Sequence, residues 1–107
     1  MTILRNTLAA LTLLCLAGPG FAADPDTVTI NNFAFDPPTL TVAPGTKVVW
    51  VNKDEEPHTV TSANNDAPFK SAGLDTDDSF SFTFTKPGTY KYFCSIHPHM
   101  VGTVVVK

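Results

Sequence analysis

The sequence predicts an all-β domain, a β-sandwich of about seven to eight strands that follows an N-terminal signal peptide. Most of the nine prolines and six glycines stand between short runs in which polar and apolar residues alternate, as in half-buried strands. No stretch after residue 22 has a convincing helical period. Seven or eight strands in the 85 residues from 23 to 107 are typical of a small sandwich.

The first 22 residues have the features of a secretory signal. Arg5 supplies the positive charge, residues 7–17 form an apolar run, and small residues at Gly20 and Ala22 suit a signal peptidase. We expect cleavage after Ala22, which leaves residues 23–107 as one domain in the periplasm or outside the cell.

Two membrane-bound alternatives are less consistent with this N-terminus. The apolar run is shorter than the ~20 residues that a transmembrane helix needs. A lipid anchor at Cys15 would require a small preceding residue, and Leu14 is large. We therefore expect no stable membrane insertion.

The predicted strands of the first half end at turn residues. Residues 27–30 alternate, and Phe33 and Phe35 continue the pattern up to Pro37-Pro38. Residues 39–42 form the next strand. Residues 47–52 are apolar on both faces, as in a strand covered on both sides, and contain the single tryptophan, Trp50.

The second half contains four further runs. Residues 57–61 alternate after an acidic turn, whereas residues 62–74 are polar and irregular. Residues 79–85 are the clearest strand, with three phenylalanines on one face and hydroxyl groups on the other. Residues 90–94 and 102–107 are the last two predicted strands.

Charge and cysteine content limit the possible functions. The formal net charge is -3, so nucleic acid is not an expected partner. The acidic clusters, residues 54–56 and 75–78, are interpreted as solvated loop charge, with a docking patch for a cationic partner as the alternative. Because Cys15 leaves with the signal, Cys94 is the only remaining cysteine. An exported thiol of this kind has to be buried or bound to a metal.

Cys94, His97 and Met100 follow one another at intervals of three residues, so one short loop can direct a thiol, an imidazole and a thioether at one point. His58 is the only histidine upstream. Cysteine, two histidines and a weak axial methionine are the ligands of a blue-copper site. Each residue alone also has an ordinary interpretation: a buried thiol, a surface histidine or a core methionine.

Two other residues of this loop have predicted roles. Pro98 has no N–H, so it cannot donate a hydrogen bond to the nearby sulfur, which leaves the thiolate more electron-donating. His99 is expected to face solvent near the metal rather than to bind it.

Several motifs resemble the cupredoxin family, and the spacing of the ligand loop is most similar to that of amicyanins. They are Phe33-Ala34-Phe35-Asp36-Pro37, Val49-Trp50-Val51-Asn52, Pro57-His58-Thr59-Val60, Pro87-Gly88-Thr89-Tyr90 and Tyr92 through Met100. The resemblance implies an eight-stranded Greek-key sandwich with one type 1 copper ion. It also implies that His58, Cys94 and His97 are equatorial ligands and Met100 the axial one.

The resemblance implies further roles around the copper. Asn52 would connect the His58 loop to the Cys94 loop by hydrogen bonds, with Ser95 as its partner; from the residues alone, an ordinary turn asparagine is an equal alternative. His97 would be the exposed ligand through which electrons leave, within a surface that includes Pro98 and His99. In His99 the chain departs from the aromatic or apolar residue expected beside the exposed ligand.

The function expected from these features is a one-electron shuttle, active as a monomer and not as an enzyme. Its partners would be redox proteins such as a dehydrogenase, a cytochrome, or an oxidase or reductase. A copper carrier or buffer is the main alternative, and a copper-free scaffolding domain is another. A copper oxidase or reductase would need additional histidines for a substrate-binding copper, and the chain has three in all.

Overall fold

Eight strands form two four-stranded sheets in the computed structural model, which describes residues 26–64 and 68–107. The first sheet has the order β2-β1-β4-β6 and the second the order β3-β8-β7-β5. This arrangement confirms the predicted all-β sandwich. The predicted signal peptide lies outside the described residues. The strand bounds are β1 Asp26–Asn31, β2 Ala34–Asp36, β3 Thr39–Val42, β4 Thr46–Asn52, β5 Thr61–Ser62, β6 Ser79–Phe84, β7 Gly88–Phe93 and β8 Val101–Val106.

The chain passes repeatedly from one sheet to the other. As a result β1 pairs with β4 in parallel, as β3 does with β8, whereas the other pairs are antiparallel. The loop between β4 and β5 crosses from the first sheet to the second and carries His58. Cys94 follows β7 directly, next to β5 in the same sheet. The crossing loop and the end of β7 therefore meet at one end of the sandwich.

Trp50 lies fully buried at the centre of the core. Side chains alternate between the two faces of a strand, and in β4 this alternation buries Val48, Trp50 and Asn52. Four aromatic rings lie with centroids 5.4–6.3 Å from that of Trp50: Phe69, Phe80, Phe84 and Tyr92. The same row of β4 thus contributes the central tryptophan and, at the loop end, a buried amide.

Most predicted strands agree with the structure within two residues, but the run 27–35 does not form one strand. The chain reverses at Asn32 and Phe33, whose φ angles are 54° and 57°, and β2 then pairs back on β1. Two consecutive residues with positive φ are the mark of a tight hairpin turn. The apolar alternation continues through the turn, so it could not reveal the reversal.

The predicted strand 57–61 is also wrong in most of its length. Only Thr61 and Ser62 belong to a strand, while His58 forms an isolated bridge with Leu74 through two backbone hydrogen bonds of 2.7 and 3.1 Å. The irregular segment after β5 therefore folds back to hold the His58 backbone. No helix capable of spanning a lipid bilayer occurs within residues 26–64 and 68–107.

The core contains two polar groups that form no hydrogen bond of ordinary geometry among the described residues, the Trp50 indole N–H and the Tyr92 hydroxyl. Burial raises the pKa of Tyr92 to about 12, although the nearby indole N–H acts in the opposite direction. Tyr92 therefore stays neutral at physiological pH and acts as an apolar core ring.

Tyr92 also occupies the space beside Gly102, its partner across the β7–β8 ladder. A Cβ atom placed on Gly102 would lie 2.3 Å from the Tyr92 ring carbon Cζ and 2.4 Å from its hydroxyl oxygen. Glycine is required here because the aromatic ring covers its Cα.

We predict that Gly102→Ala lowers the free energy of unfolding by about 1–3 kcal/mol, the usual cost of overpacking a core. Urea denaturation followed by tryptophan fluorescence measures it. The matched control is Gly73→Ala, where an added Cβ meets nothing within 4 Å; it should change the free energy by less than about 0.5 kcal/mol. Equal effects of the two variants would contradict the packing of Tyr92 on Gly102.

Candidate metal centre

The structure brings three predicted ligands together at the end of the sandwich. The ligand atoms of His58, Cys94 and His97 all lie within 4.8 Å of one another. Cys94 Sγ is 3.8 Å from His58 Nδ1 and 3.7 Å from His97 Nδ1, and the two Nδ1 atoms are 3.2 Å apart. His58 and Cys94 are fully buried and His97 is half-buried. One sulfur and two ring nitrogens thus face a common point near the surface.

The ligand loop is shaped by two successive backbone turns. The His97 N–H donates to the Cys94 carbonyl at 3.2 Å, and the Met100 N–H donates to the His97 carbonyl at 2.9 Å. The Cys94 N–H in turn donates to the Met100 carbonyl at 3.1 Å, which closes the loop. Met100 is buried, at 6% exposure, and His99 is exposed as expected. Each turn spans the three residues from one predicted ligand to the next, so the turns account for the spacing of Cys94, His97 and Met100.

Thr59 connects the two loops that carry the ligands, and sequence reasoning did not identify it. Its backbone N–H donates to Cys94 Sγ at 3.3 Å. Its Oγ1 accepts the Ser95 N–H at 2.8 Å and lies 2.9 Å from Ser95 Oγ. The only signal in the sequence was the position of Thr59 next to a candidate ligand.

These contacts change the acidity of the Cys94 thiol. Burial by itself raises the pKa, but hydrogen bonds from the Thr59 and Ile96 N–H groups and the contacts with the His58 and His97 rings outweigh it and lower the pKa of Cys94 to about 6. The sulfur is therefore mainly a thiolate at neutral pH, which is the form that binds metals. The predicted tuning effect of Pro98 stays a prediction.

Asn52 is buried near the site, but its predicted partner was wrong. Its Nδ2 donates to the Glu56 carbonyl at 2.9 Å and to the Leu74 carbonyl at 2.8 Å, and its Oδ1 accepts the Asp54 N–H at 3.0 Å. Both amide hydrogens are thus already used, and Ser95 is bonded by Thr59 instead. Asn52 therefore bonds the His58 loop and the segment before β6 rather than joining the His58 loop to the Cys94 loop.

Asp54 is the second residue that sequence reasoning missed. Its Oδ2 lies 2.8 Å from His58 Nε2, and its side chain is only 11% exposed. Burial raises the pKa of Asp54, but hydrogen bonds from the Phe33 and Asn32 N–H groups and from His58 leave it lowered overall. A carboxylate can only accept a hydrogen bond, so His58 carries its proton on Nε2 and directs the Nδ1 lone pair toward Cys94. The spacing of four residues between an acid and a histidine was the available signal.

The donor atoms fit a copper ion. A thiolate and a thioether are soft ligands that suit Cu(I), while imidazole nitrogen suits both oxidation states. Structural zinc sites use cysteine and histidine but no methionine thioether. The buried Met100 beside this cluster therefore favours copper.

Comparisons with known proteins agree with this chemistry. A family model described as copper binding proteins, plastocyanin/azurin family, matches residues 24–107. Amicyanin from Paracoccus denitrificans is 32% identical, and the match covers 99% of this chain and 97% of the amicyanin. The chain belongs to the plastocyanin/azurin family, the cupredoxins, and its cofactor is copper. The predicted resemblance is confirmed.

Solved structures of the family have the same fold. The Cu(I) form of a single-site mutant of amicyanin matches with a TM-score of 0.74 at 36% identity, covering 80% of this chain and 86% of that chain. A purple cupredoxin from Nitrosopumilus maritimus matches with a TM-score of 0.70 at 33% identity, covering 77% of this chain and 99% of that chain.

We predict that Thr59→Val weakens the connection between the two ligand loops. Valine keeps the shape but removes the oxygen that bonds Ser95, so the free energy of unfolding of the apoprotein should fall by about 0.5–1.5 kcal/mol. Urea denaturation provides the measurement. Thr83→Val, at an exposed position of β6, is the control and should change it by less than about 0.5 kcal/mol. A control effect as large as that of Thr59→Val would contradict the role of Thr59.

Proposed function

We propose that this protein is a type 1 copper electron carrier in which His58, Cys94 and His97 are the main ligands and Met100 is the weak axial ligand. One observation carries the proposal: the three donor atoms converge at a point where two ligands are fully buried and the third, His97, reaches the surface. Such a site hides a metal from small molecules but leaves one conjugated ring through which an electron can pass.

A bound copper ion would supply the Cu(I)/Cu(II) couple, the one-electron chemistry that no side chain here can provide. The protein residues would keep the ligands nearly fixed during electron transfer. Thr59 holds both loops, and the Asp54 carboxylate fixes the His58 ring. A rigid set of ligands lowers the energy needed for rearrangement between the two oxidation states.

The proposed surface for electron exit consists of His97, Pro98 and His99. His97 is half-buried, while Pro98 and His99 are exposed. Three large apolar side chains with 47–63% exposure lie in the segments around it: Phe33, Ile96 and Val101. An apolar surface that contains two imidazole rings suits brief contact with a protein partner. We propose a redox protein, such as a dehydrogenase, a cytochrome, or an oxidase or reductase, which meets this protein as a monomer.

An enzymatic role has less support. Two of the three histidines belong to the cluster, and the remaining one, His99, is exposed on the same loop. A copper enzyme needs an open coordination position, whereas the four proposed ligands would occupy this site. The sequence also has no further histidines from which to build a second copper site. A carrier that hands over the metal, the alternative function, would need ligands that a partner can reach, whereas Cys94 and His58 have no exposed surface.

We further propose that residues 1–22 are a signal peptide and that residues 23–107 act as a cupredoxin domain in the periplasm or outside the cell. The family match begins at residue 24, close to the proposed cleavage site. In the described residues Cys94 is the only cysteine, a free and buried one, which suits a thiol that a metal protects from oxidation.

We predict that the purified protein, titrated with Cu(II), develops an intense blue thiolate-to-copper band that saturates at one equivalent. The band requires the Cys94 thiolate, so Cys94→Ala should lack it. His97→Ala should lose or strongly alter it, whereas His99→Ala, the adjacent histidine, should keep it. Visible absorption spectroscopy measures all four proteins.

The same samples separate an electron carrier from a copper buffer. The carrier should be oxidised and reduced rapidly by small one-electron reagents and should lose copper slowly to a chelator. A pale complex without the blue band, or rapid transfer of copper with slow redox cycling, would reject the electron carrier in favour of the buffer.

We predict that expression of the full chain in a Gram-negative host yields a periplasmic protein that begins at Ala23. Mass spectrometry of the periplasmic fraction measures the N-terminus. A variant with Ala22→Tyr, which places a bulky residue at the cleavage position, should stay unprocessed at this site. Recovery of the intact chain from the cytoplasm for the unaltered sequence would contradict the proposal.

A further inference from the structure

The turn between β1 and β2 lies beside the metal centre in a conformation that its residues do not favour. Asn32 and Phe33 both have positive φ angles, 54° and 57°. Asparagine tolerates this region, but for a bulky residue such as phenylalanine it is an outlier that needs support from the surroundings. Glycine is the residue that a turn of this kind prefers at its second position.

Asp54 provides that support. Its Oδ1 accepts the Asn32 N–H at 2.7 Å and its Oδ2 accepts the Phe33 N–H at 2.9 Å. The same Oδ2 accepts the Nε2 hydrogen of His58 at 2.8 Å. One carboxylate therefore bonds the two residues of the strained turn and the fully buried ligand.

The carboxylate is itself held in place. The Asp54 N–H donates to Asn52 Oδ1 at 3.0 Å, and its carbonyl accepts the Thr76 hydroxyl at 2.7 Å. The backbone on both sides of the side chain is thus fixed to neighbouring segments. Movement of the turn, or of the His58 ring, would therefore break hydrogen bonds to the Asp54 carboxylate, whose own position is fixed.

The turn places the ring of Phe33 against both imidazoles of the centre. Its centroid lies 5.1 Å from that of His58 and 4.9 Å from that of His97, with interplanar angles of 87° and 83°. These are edge-to-face contacts, which aromatic rings favour. Since Phe33 is 47% exposed, its ring lies between the two ligands and solvent rather than in the core.

We propose that Asp54 is a positioning residue of the metal centre, which fixes the tautomer and orientation of His58 and holds Phe33 as a cover over the two histidine ligands. The strained backbone at Phe33 is the cost of keeping an aromatic ring at this place. This inference rests on the proposed copper site, and it adds a role for one acidic side chain and one exposed ring.

Two variants separate the two parts of this role. Asp54→Asn keeps the size of the side chain but removes its charge. It also replaces one carboxylate oxygen with an NH₂ group, which cannot accept the hydrogen bonds that the turn and His58 donate. Phe33→Gly removes the cover and gives the turn its preferred residue, so the apoprotein should melt at the same temperature or higher. If Phe33 instead served only to stabilise the fold, its removal would lower the melting temperature. Glu55→Gln, an exposed position in the same loop with the same change of charge, is the control.

The first measurement uses the apoprotein, so it does not depend on copper. Nitrogen-15 NMR of the histidine side chains at constant pH should show His58 with its proton on Nε2. In Asp54→Asn this tautomer should no longer dominate, whereas Glu55→Gln should leave it unchanged. Persistence of the same tautomer in Asp54→Asn would overturn the proposed role of Asp54.

The second set of measurements uses the copper form. Asp54→Asn should weaken Cu(II) affinity about 10- to 100-fold, as loss of a hydrogen-bonded carboxylate does at other metal sites, and should raise the reduction potential. Glu55→Gln should stay within twofold. Phe33→Gly should increase the relaxation of water protons by the Cu(II) form, because solvent approaches the centre more closely. An unchanged affinity for Asp54→Asn, or a lower apoprotein melting temperature with unchanged water relaxation for Phe33→Gly, would overturn the proposal.

A failure of the copper site itself gives a different result. If the unaltered protein forms no blue complex, the proposed function is rejected, while the apoprotein tautomer and melting temperature still decide whether Asp54 and Phe33 have the positions and roles inferred here. If Asp54→Asn does not fold, Phe33→Gly keeps the test decisive.

Discussion

The hydrogen bond from the Thr59 N–H to the Cys94 thiolate is the contact on which the metal centre depends. It joins the loop that crosses between the two sheets to the loop that follows β7. Together with the Thr59–Ser95 hydrogen bonds, it holds the His58 loop and the Cys94 loop against each other at one end of the sandwich. The bond also lowers the pKa of the thiol, so one contact both assembles the site and prepares its softest ligand.

The rest of the fold makes this contact rigid. Trp50 and its aromatic neighbours fill the core below the site, and the inward row of β4 ends at Asn52, which shapes the His58 loop. The irregular segment before β6 bonds the His58 backbone through Leu74. The ligands are therefore supported by packing and hydrogen bonds before a metal binds, which agrees with a function that requires little rearrangement.

The acidic loop between β4 and β5 shows that a cluster of charged residues does not reveal which of them are exposed. Residues 54–56 form a cluster that is typical of solvated surface charge, and Glu55 and Glu56 are indeed exposed. Asp54, in contrast, faces inward and accepts three hydrogen bonds, two of them from a turn more than twenty residues away. Sequence reasoning could not separate these neighbours, because the distinction depends on where the turn of Asn32 and Phe33 lies.

The sequence alone determined the fold class, most strand positions, the family and the four candidate ligands, because alternation, turn residues and the spacing in the ligand loop are local properties. Tertiary structure decided what depends on distant segments. The run 27–35 forms a hairpin, and Ser95 is hydrogen-bonded by Thr59 rather than by Asn52. Asp54 and Phe33 contact the histidines of the metal centre. Each of these outcomes depends on a contact between segments that are distant in the sequence, since even the hairpin turn is bonded by Asp54. The packing of the two sheets brings these segments together, and neither segment encodes its partner by itself.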